Sequence, residues 1–165
     1  MKPLTPDEIR ASIVNADPDI IERMPLPGLH ETVWDAREYL GWRDPQAPQR
    51  GYIVYWRNDV PVGMIVRAAE NRMSRSMSAM CSLCRTQQPA NQVSLFSVPK
   101  AGEAGRNGNT VGTYICSDLA CSTIIRILPP PSDMQPSPAD VVASRAAGLL
   151  TRLNSFTNEV LKPAA

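Results

Sequence analysis

The chain carries no long apolar run, a single histidine and only four cysteines. Each scarcity excludes something. No segment approaches the ~18 apolar residues of a membrane-spanning helix. The N-terminal stretch M-K-P-L-T-P-D-E-I-R lacks the apolar core of a secretory signal. A reducing cytoplasm is therefore the expected setting, one in which structural disulfides are rare. The lone histidine, His30, stands about fifty residues before the first cysteine and has no partner motif. No paired acid–base constellation accompanies it, so an enzyme is not expected. No internal repeat is present either.

What is there is a soluble globular composition: 165 residues, 43% apolar and 20% charged. Sixteen prolines cut the chain into short elements and argue against a long helical bundle. The net charge of +1 hides an uneven distribution. Residues 1–65 hold seven Lys/Arg against ten Asp/Glu, whereas residues 66–127 hold seven against three. The middle, where all the cysteines lie, is the basic part. That field favours an acidic partner or RNA.

Local signals set an α+β expectation. Thr5-Pro6-Asp7-Glu8 has the form of a capping box, and Asp17-Pro18-Asp19 repeats a helix start. A third helix is expected over residues 31–40, from the helical spacing of Val33, Trp34, Arg37 and Leu40, with residues 41–51 as loop. Tyr52–Trp56 and Val62–Val66 flank an Asn-Asp turn and predict a β-hairpin. Val93–Val98 and Thr110–Cys116 read as strands on either side of a glycine-rich loop over residues 100–109. A helical pattern follows from Asp118 to Leu128. A proline-rich linker then leads to a final helix capped by Ser137-Pro138-Ala139-Asp140. Its stripe of Val142, Ala146, Leu149, Leu153, Phe156 and Val160 is expected to pack back on its own domain, being too short for a coiled coil.

The cysteines read C-x2-C (Cys81, Cys84), thirty-one residues, then C-x4-C (Cys116, Cys121). A redox pair would use one C-x2-C and leave Cys116 and Cys121 idle. Catalytic zinc keeps an open position and recruits histidine or carboxylate, which this pattern does not supply. Four thiolates around one structural Zn2+ fit both pairs and the compartment. The order is knuckle, two strands, then a helix carrying the last ligand, which is that of a treble-clef zinc finger.

Met80-Cys81-Ser82-Leu83-Cys84-Arg85-Thr86, Val93–Phe96 and Gly108–Ser122 together resemble the C-terminal treble-clef zinc finger of the elongation factor G-binding family. That family includes the fusidic-acid-resistance proteins and some members named fibronectin-binding protein. Gly41–Pro45 and Ala47–Tyr52 are similar to its actinobacterial version, so the resemblance spans roughly residues 40–127. It implies a non-catalytic clamp that binds elongation factor G or the ribosome and modulates translation, with no membrane and no small-molecule substrate. Two departures stand out. The resistance proteins carry an N-terminal helical bundle where this chain is short and proline-broken, and they use a mixed Cys/His site.

The expected division is residues 1–70 as helices and hairpin, 71–128 as zinc finger, 129–138 as linker and 139–165 as C-terminal helix. Arg72, Arg75, Arg85, Lys100, Arg106 and Arg126 surround the finger and, with Trp42 and Arg43 in a supposed loop, are the candidate partner-binding residues. The same charges also suit a solvated hairpin surface, or a finger that tracks the phosphates of rRNA.

Overall fold

The structure is a computed structural model that describes residues 1–70, 74–128, 130, 134 and 136–163. Its centre is a five-stranded antiparallel sheet in the order β1-β2-β3-β6-β7, formed by Leu40–Arg43, Arg50–Arg57, Val60–Ala68, Val93–Pro99 and Thr110–Cys116. A two-stranded ribbon, β4 (Ser78–Met80) with β5 (Gln87–Pro89), carries the first cysteine pair between its strands. Among the described residues no helix is long and apolar enough to cross a membrane.

Sequence chemistry explains the N-terminal elements. The capping box forms as expected at α1 (Pro6–Ser12): the Glu8 N–H donates to Thr5 Oγ1 at 3.2 Å, and the Thr5 N–H to Glu8 Oε2 at 2.8 Å. Helix α2 (Pro18–Glu22) starts at its proline. Asn58 and Asp59 both adopt positive φ, the backbone that a tight two-residue hairpin turn needs, and they join β2 to β3.

The sheet is covered on both faces, which is why β2 reads as the nearly unbroken apolar run Y-I-V-Y-W. Tyr52 and Val54 face one cluster with Ile9, Ile13, Met24, Leu40 and Trp42. Ile53 and Tyr55 face the other, with Phe96, Leu119, Ile125 and the cysteines. Helix α5 (Pro138–Leu161), capped by Ser137, closes this second face with Leu149, Leu153 and Val160 fully buried. Packing on its own domain is thus observed. The Tyr55 hydroxyl lies 2.9 Å from both Asn154 Oδ1 and Thr157 Oγ1, pinning the helix to β2.

Three local expectations are corrected. Residues 31–40 form no helix; two short 3-10 turns, Leu29–Glu31 and Trp34–Ala36, lead straight into β1. The open edge of β2 offers Leu40–Arg43 a ladder of partners, Val54 to Gly51, and that pairing overrides the local periodicity. Trp42 is therefore in a strand, not a loop. The glycine-rich segment is also ordered, with a short helix α3 (Gly102–Arg106) whose Ala104 is buried. It is tied down by the Ala101 N–H donating to the Val160 carbonyl at 2.8 Å. Strands from residues 40–68 and 93–116 make up the one sheet, and α5 packs into the core beneath it.

Candidate metal centre

Two tight loops converge on one point. In the first, Cys81–Cys84 sit between β4 and β5, and Arg85 at φ 59° turns the chain back; the Arg85 N–H donates to the Cys81 carbonyl at 3.0 Å. In the second, Cys116 ends β7 and Leu119 at φ 60° makes the turn, leaving Cys121 to open the four-residue helix α4 (Cys121–Ile124). The Ser82 N–H donates to the Tyr114 carbonyl at 2.7 Å and so fastens the first loop to β7. The helical pattern from Asp118 thus condenses to one turn, placed where a last ligand is needed.

The four sulfurs lie within 4.8 Å of one another, and all four residues are buried. Cys81 to Cys121 and Cys84 to Cys116 are each 3.6 Å apart. No disulfide joins them, since a sulfur–sulfur bond is about 2.05 Å long. A tetrahedron of thiolates at the usual zinc distance has edges of about 3.8 Å, so the arrangement fits a single zinc ion. The residues around the sulfurs fit charge as well. The Cys84 N–H donates to Cys81 Sγ at 3.4 Å, and Gln88 Nε2 donates to Cys116 Sγ at 3.2 Å. The Tyr39 hydroxyl is buried beside them, without a hydrogen-bond partner among the described residues; burial, then the charge on Cys121, pushes its pKa well up.

Crowding shows in the acidity of the thiols. Without a metal, hydrogen bonding from Cys116 and then Cys121 lowers the pKa of both Cys81 and Cys84. Cys121 is pushed far up, by Cys116 and then Cys81. Four thiolates so close repel one another unless a cation sits among them.

The N-terminal half is built onto this centre. A Cβ on Gly41 would lie 2.6 Å from the Leu119 carbonyl oxygen, and one on Gly51 would lie 2.7 Å from Leu119 Cδ1. Only glycine lets the β1–β2 hairpin approach the second cysteine loop this closely.

The FBP C-terminal treble-clef zinc-finger pattern matches residues 8–160, beyond the 40–127 suggested by the motifs, and takes in most of α1, all of α2 and nearly all of α5. The chain belongs to that family. A comparison with curated proteins finds no sequence match. Among solved structures, the fusidic acid resistance protein FusC is similar in fold, with a TM-score of 0.55 and 19% identity. The likeness covers 86% of this chain and 53% of that one, so the chain spans about half the length of that protein. The centre is accordingly the zinc site of this finger, held by Cys81, Cys84, Cys116 and Cys121.

The candidate partner residues scatter. Arg126 is partly buried, making a two-pronged pair with Glu38 at 2.8 and 2.9 Å. Trp42 is buried, stacked on Tyr52 with ring centroids 4.9 Å apart and donating from Nε1 to the Pro25 carbonyl. Arg43 lies over the Phe96 ring and donates from Nη1 to the Ser117 carbonyl at 2.9 Å. Arg43 and Arg126 make contacts between the N-terminal half and the finger, whereas Trp42 packs within the N-terminal half. The edge pairing of β1 places Trp42 and Arg43, and Arg126 reaches Glu38 from the segment after α4. Arg72 lies outside the described residues. Arg75 is exposed in the turn before β4. Lys100 and Arg106 line a cleft of about 380 Å³ together with Arg50 and Asp17. Arg85 lines a different one, where two residues that the sequence pattern did not single out join it: Arg145 and Arg152 from α5. Their helical position next to an apolar stripe is the only signal the sequence holds for them. His30 is 84% exposed at its side chain, in the N-terminal half.

Proposed function

We propose that this protein is a non-catalytic, cytoplasmic binding module that engages elongation factor G, alone or on the ribosome, and modulates translation. The observation carrying this reading is the closed metal centre. Four buried thiolates fill the tetrahedron and leave no position for a substrate or an activated water. Beside the sulfurs lie the Gln88 amide, donating to Cys116 Sγ, and the buried Tyr39 phenol, side chains that suit holding a charged ligand set in place. The zinc therefore acts as a scaffold that holds the β4–β5 ribbon, β7 and α4 in one arrangement. The resemblance of the cysteine segments to the elongation factor G-binding family, and the likeness of fold to a fusidic acid resistance protein, point the surface of that scaffold at the translation apparatus.

The test is binding of the zinc-loaded chain to purified elongation factor G and to ribosomes, each measured separately. Recovery of the factor, lost after zinc is chelated, is the expected result. Recovery of neither factor nor ribosomes overturns the reading. Binding to ribosomes alone, falling steeply as salt is raised, favours the rRNA-binding alternative.

A further inference from the structure

Between the first cysteine loop and the N-terminal half of α5 lies a cleft of about 750 Å³, whose walls include Arg85, Arg145 and Arg152 together with Gln87, Gln92 and Ile127. Its described lining residues contain three guanidinium groups and no carboxylate. The cleft around Lys100 and Arg106, by contrast, carries Asp17 among its lining residues. Arg126 is paired with Glu38, and Arg50 lies 3.7 Å from Asp44. None of the salt bridges among the described residues involves Arg85, Arg145 or Arg152.

Two of the three cations are held in place by the fold. Arg145 Nη1 donates to the carbonyls of Ile125 and Ile127 at 3.1 and 2.8 Å, and Arg152 Nε donates to the Leu83 carbonyl. Each bond occupies one nitrogen of a group with five N–H donors, so most donors are left over. Pre-positioned side chains lose less freedom when a ligand arrives. Cys84 forms part of the same wall, so the metal centre sets the shape of the cleft.

We propose that this cleft docks an acidic, extended segment of a partner protein, with Asp or Glu carboxylates taken by the three arginines. The proposal rests on the reading of the chain as a protein-binding module and specifies the chemistry of the partner. Arginine matches carboxylate through paired, charge-assisted hydrogen bonds. The amides of Gln87 and Gln92 supply both donors and acceptors for the backbone of such a segment. Ile127, 65% exposed at the rim, offers an apolar anchor. Single-stranded nucleic acid is the poorer occupant, because its binding grooves stack bases on aromatic rings and no aromatic residue is among the described residues lining this cleft.

The experiment is fluorescence anisotropy on the zinc-loaded full chain with three labelled probes. They are a short peptide of alternating Glu and Ala, the same peptide with Gln for Glu, and a single-stranded RNA of equal charge. Arg85→Glu is the variant, because Arg85 is exposed and lies outside every salt bridge among the described residues. Since Arg85 follows Cys84 at positive φ, the variant's bound zinc is measured alongside binding, and Arg106→Glu in the other cleft is its control. The expected result is binding of the Glu peptide alone, weakened on the order of tenfold by Arg85→Glu and unchanged by Arg106→Glu. Tighter binding of the RNA, equal binding of the Gln peptide, or equal effects of the two variants overturn the proposal. Elongation factor G separates the two levels. Capture of the factor that Arg85→Glu leaves intact overturns the cleft and keeps the functional reading. Arg85-dependent peptide binding without capture of the factor or of ribosomes supports the cleft and overturns that reading.

Discussion

Residues 1–68 and the cysteine loops of the finger reach a defined conformation by different means. In the first, β2 and β3 bury Tyr52, Ile53, Val54, Tyr55, Met64 and Val66 on two faces, and a long register of eight residue pairs holds them together. In the second, β4 and β5 pair over three residues each, with mostly exposed side chains, and little besides Leu83 and the thiols is buried between them. Apolar burial is sufficient for the hairpin. The loops around Cys81 and Cys116 bury Leu83, Leu119 and the thiols against the shared core, but they have no long ladder of their own and rely on ligand–metal bonds to hold their shape. The seam between the regions is narrow on the sheet, only Arg67↔Ser97 and Ala68↔Phe96, so α5, Arg43 and the Glu38–Arg126 pair do much of the joining.

Removing the metal is the sharpest way to break this comparison. Structural zinc contributes on the order of 10 kcal/mol to folding of a finger at neutral pH. Chelation is therefore expected to abolish amide hydrogen-exchange protection in residues 78–92 and 116–125 while leaving part of it in β2 and β3. Uniform loss would show the two regions to be one cooperative unit. Acid acts in the same direction as the chelator, because protons compete with zinc for thiolates, so bound zinc decreases as pH falls.

Leu153→Ala tests the joint made by α5. Leu153 is fully buried, and its truncation is expected to lower stability by about 2–5 kcal/mol in denaturant unfolding. Zinc content at neutral pH should not change, since the thiolates keep their loops. Loss of zinc along with stability would mean that α5, not the metal, organises the finger.

Gly41→Ala probes the closest contact between the regions and has the smallest expected effect. Its new methyl meets a backbone carbonyl and the Tyr39 ring, so one side must shift, at about 1–3 kcal/mol. The shift should appear as weaker zinc retention against a competing chelator. A variant with native stability and native retention would show that the hairpin is free to slide over the second loop.

Features that depend on nearby residues are legible in the amino-acid order alone. The capping box at Thr5–Glu8, the Asn58-Asp59 turn and the stripe of α5 each lie within a few bonds or a few helical turns, where local sterics decide. The metal centre is legible for a related reason: knuckle spacing is local, and zinc accepts only a few ligand types. Strand β1 is not, since Leu40–Arg43 becomes a strand only when the edge of β2 is beside it. The roles of Trp42, Arg43 and Arg126 escape a sequence reading for the same reason. Each is defined by what it meets, Tyr52, Ser117 and Glu38, and not by its neighbours in the chain.

By itself, then, the sequence determined an α+β zinc finger with four thiolate ligands, because spacing, caps and turns act over short range. Only the tertiary structure decided that three arginines, Arg85 from one loop and Arg145 and Arg152 from a helix some sixty residues later, share one cleft without a carboxylate among its described lining residues. Charge complementarity is a property of surfaces, and a surface exists only after the chain has folded back on itself.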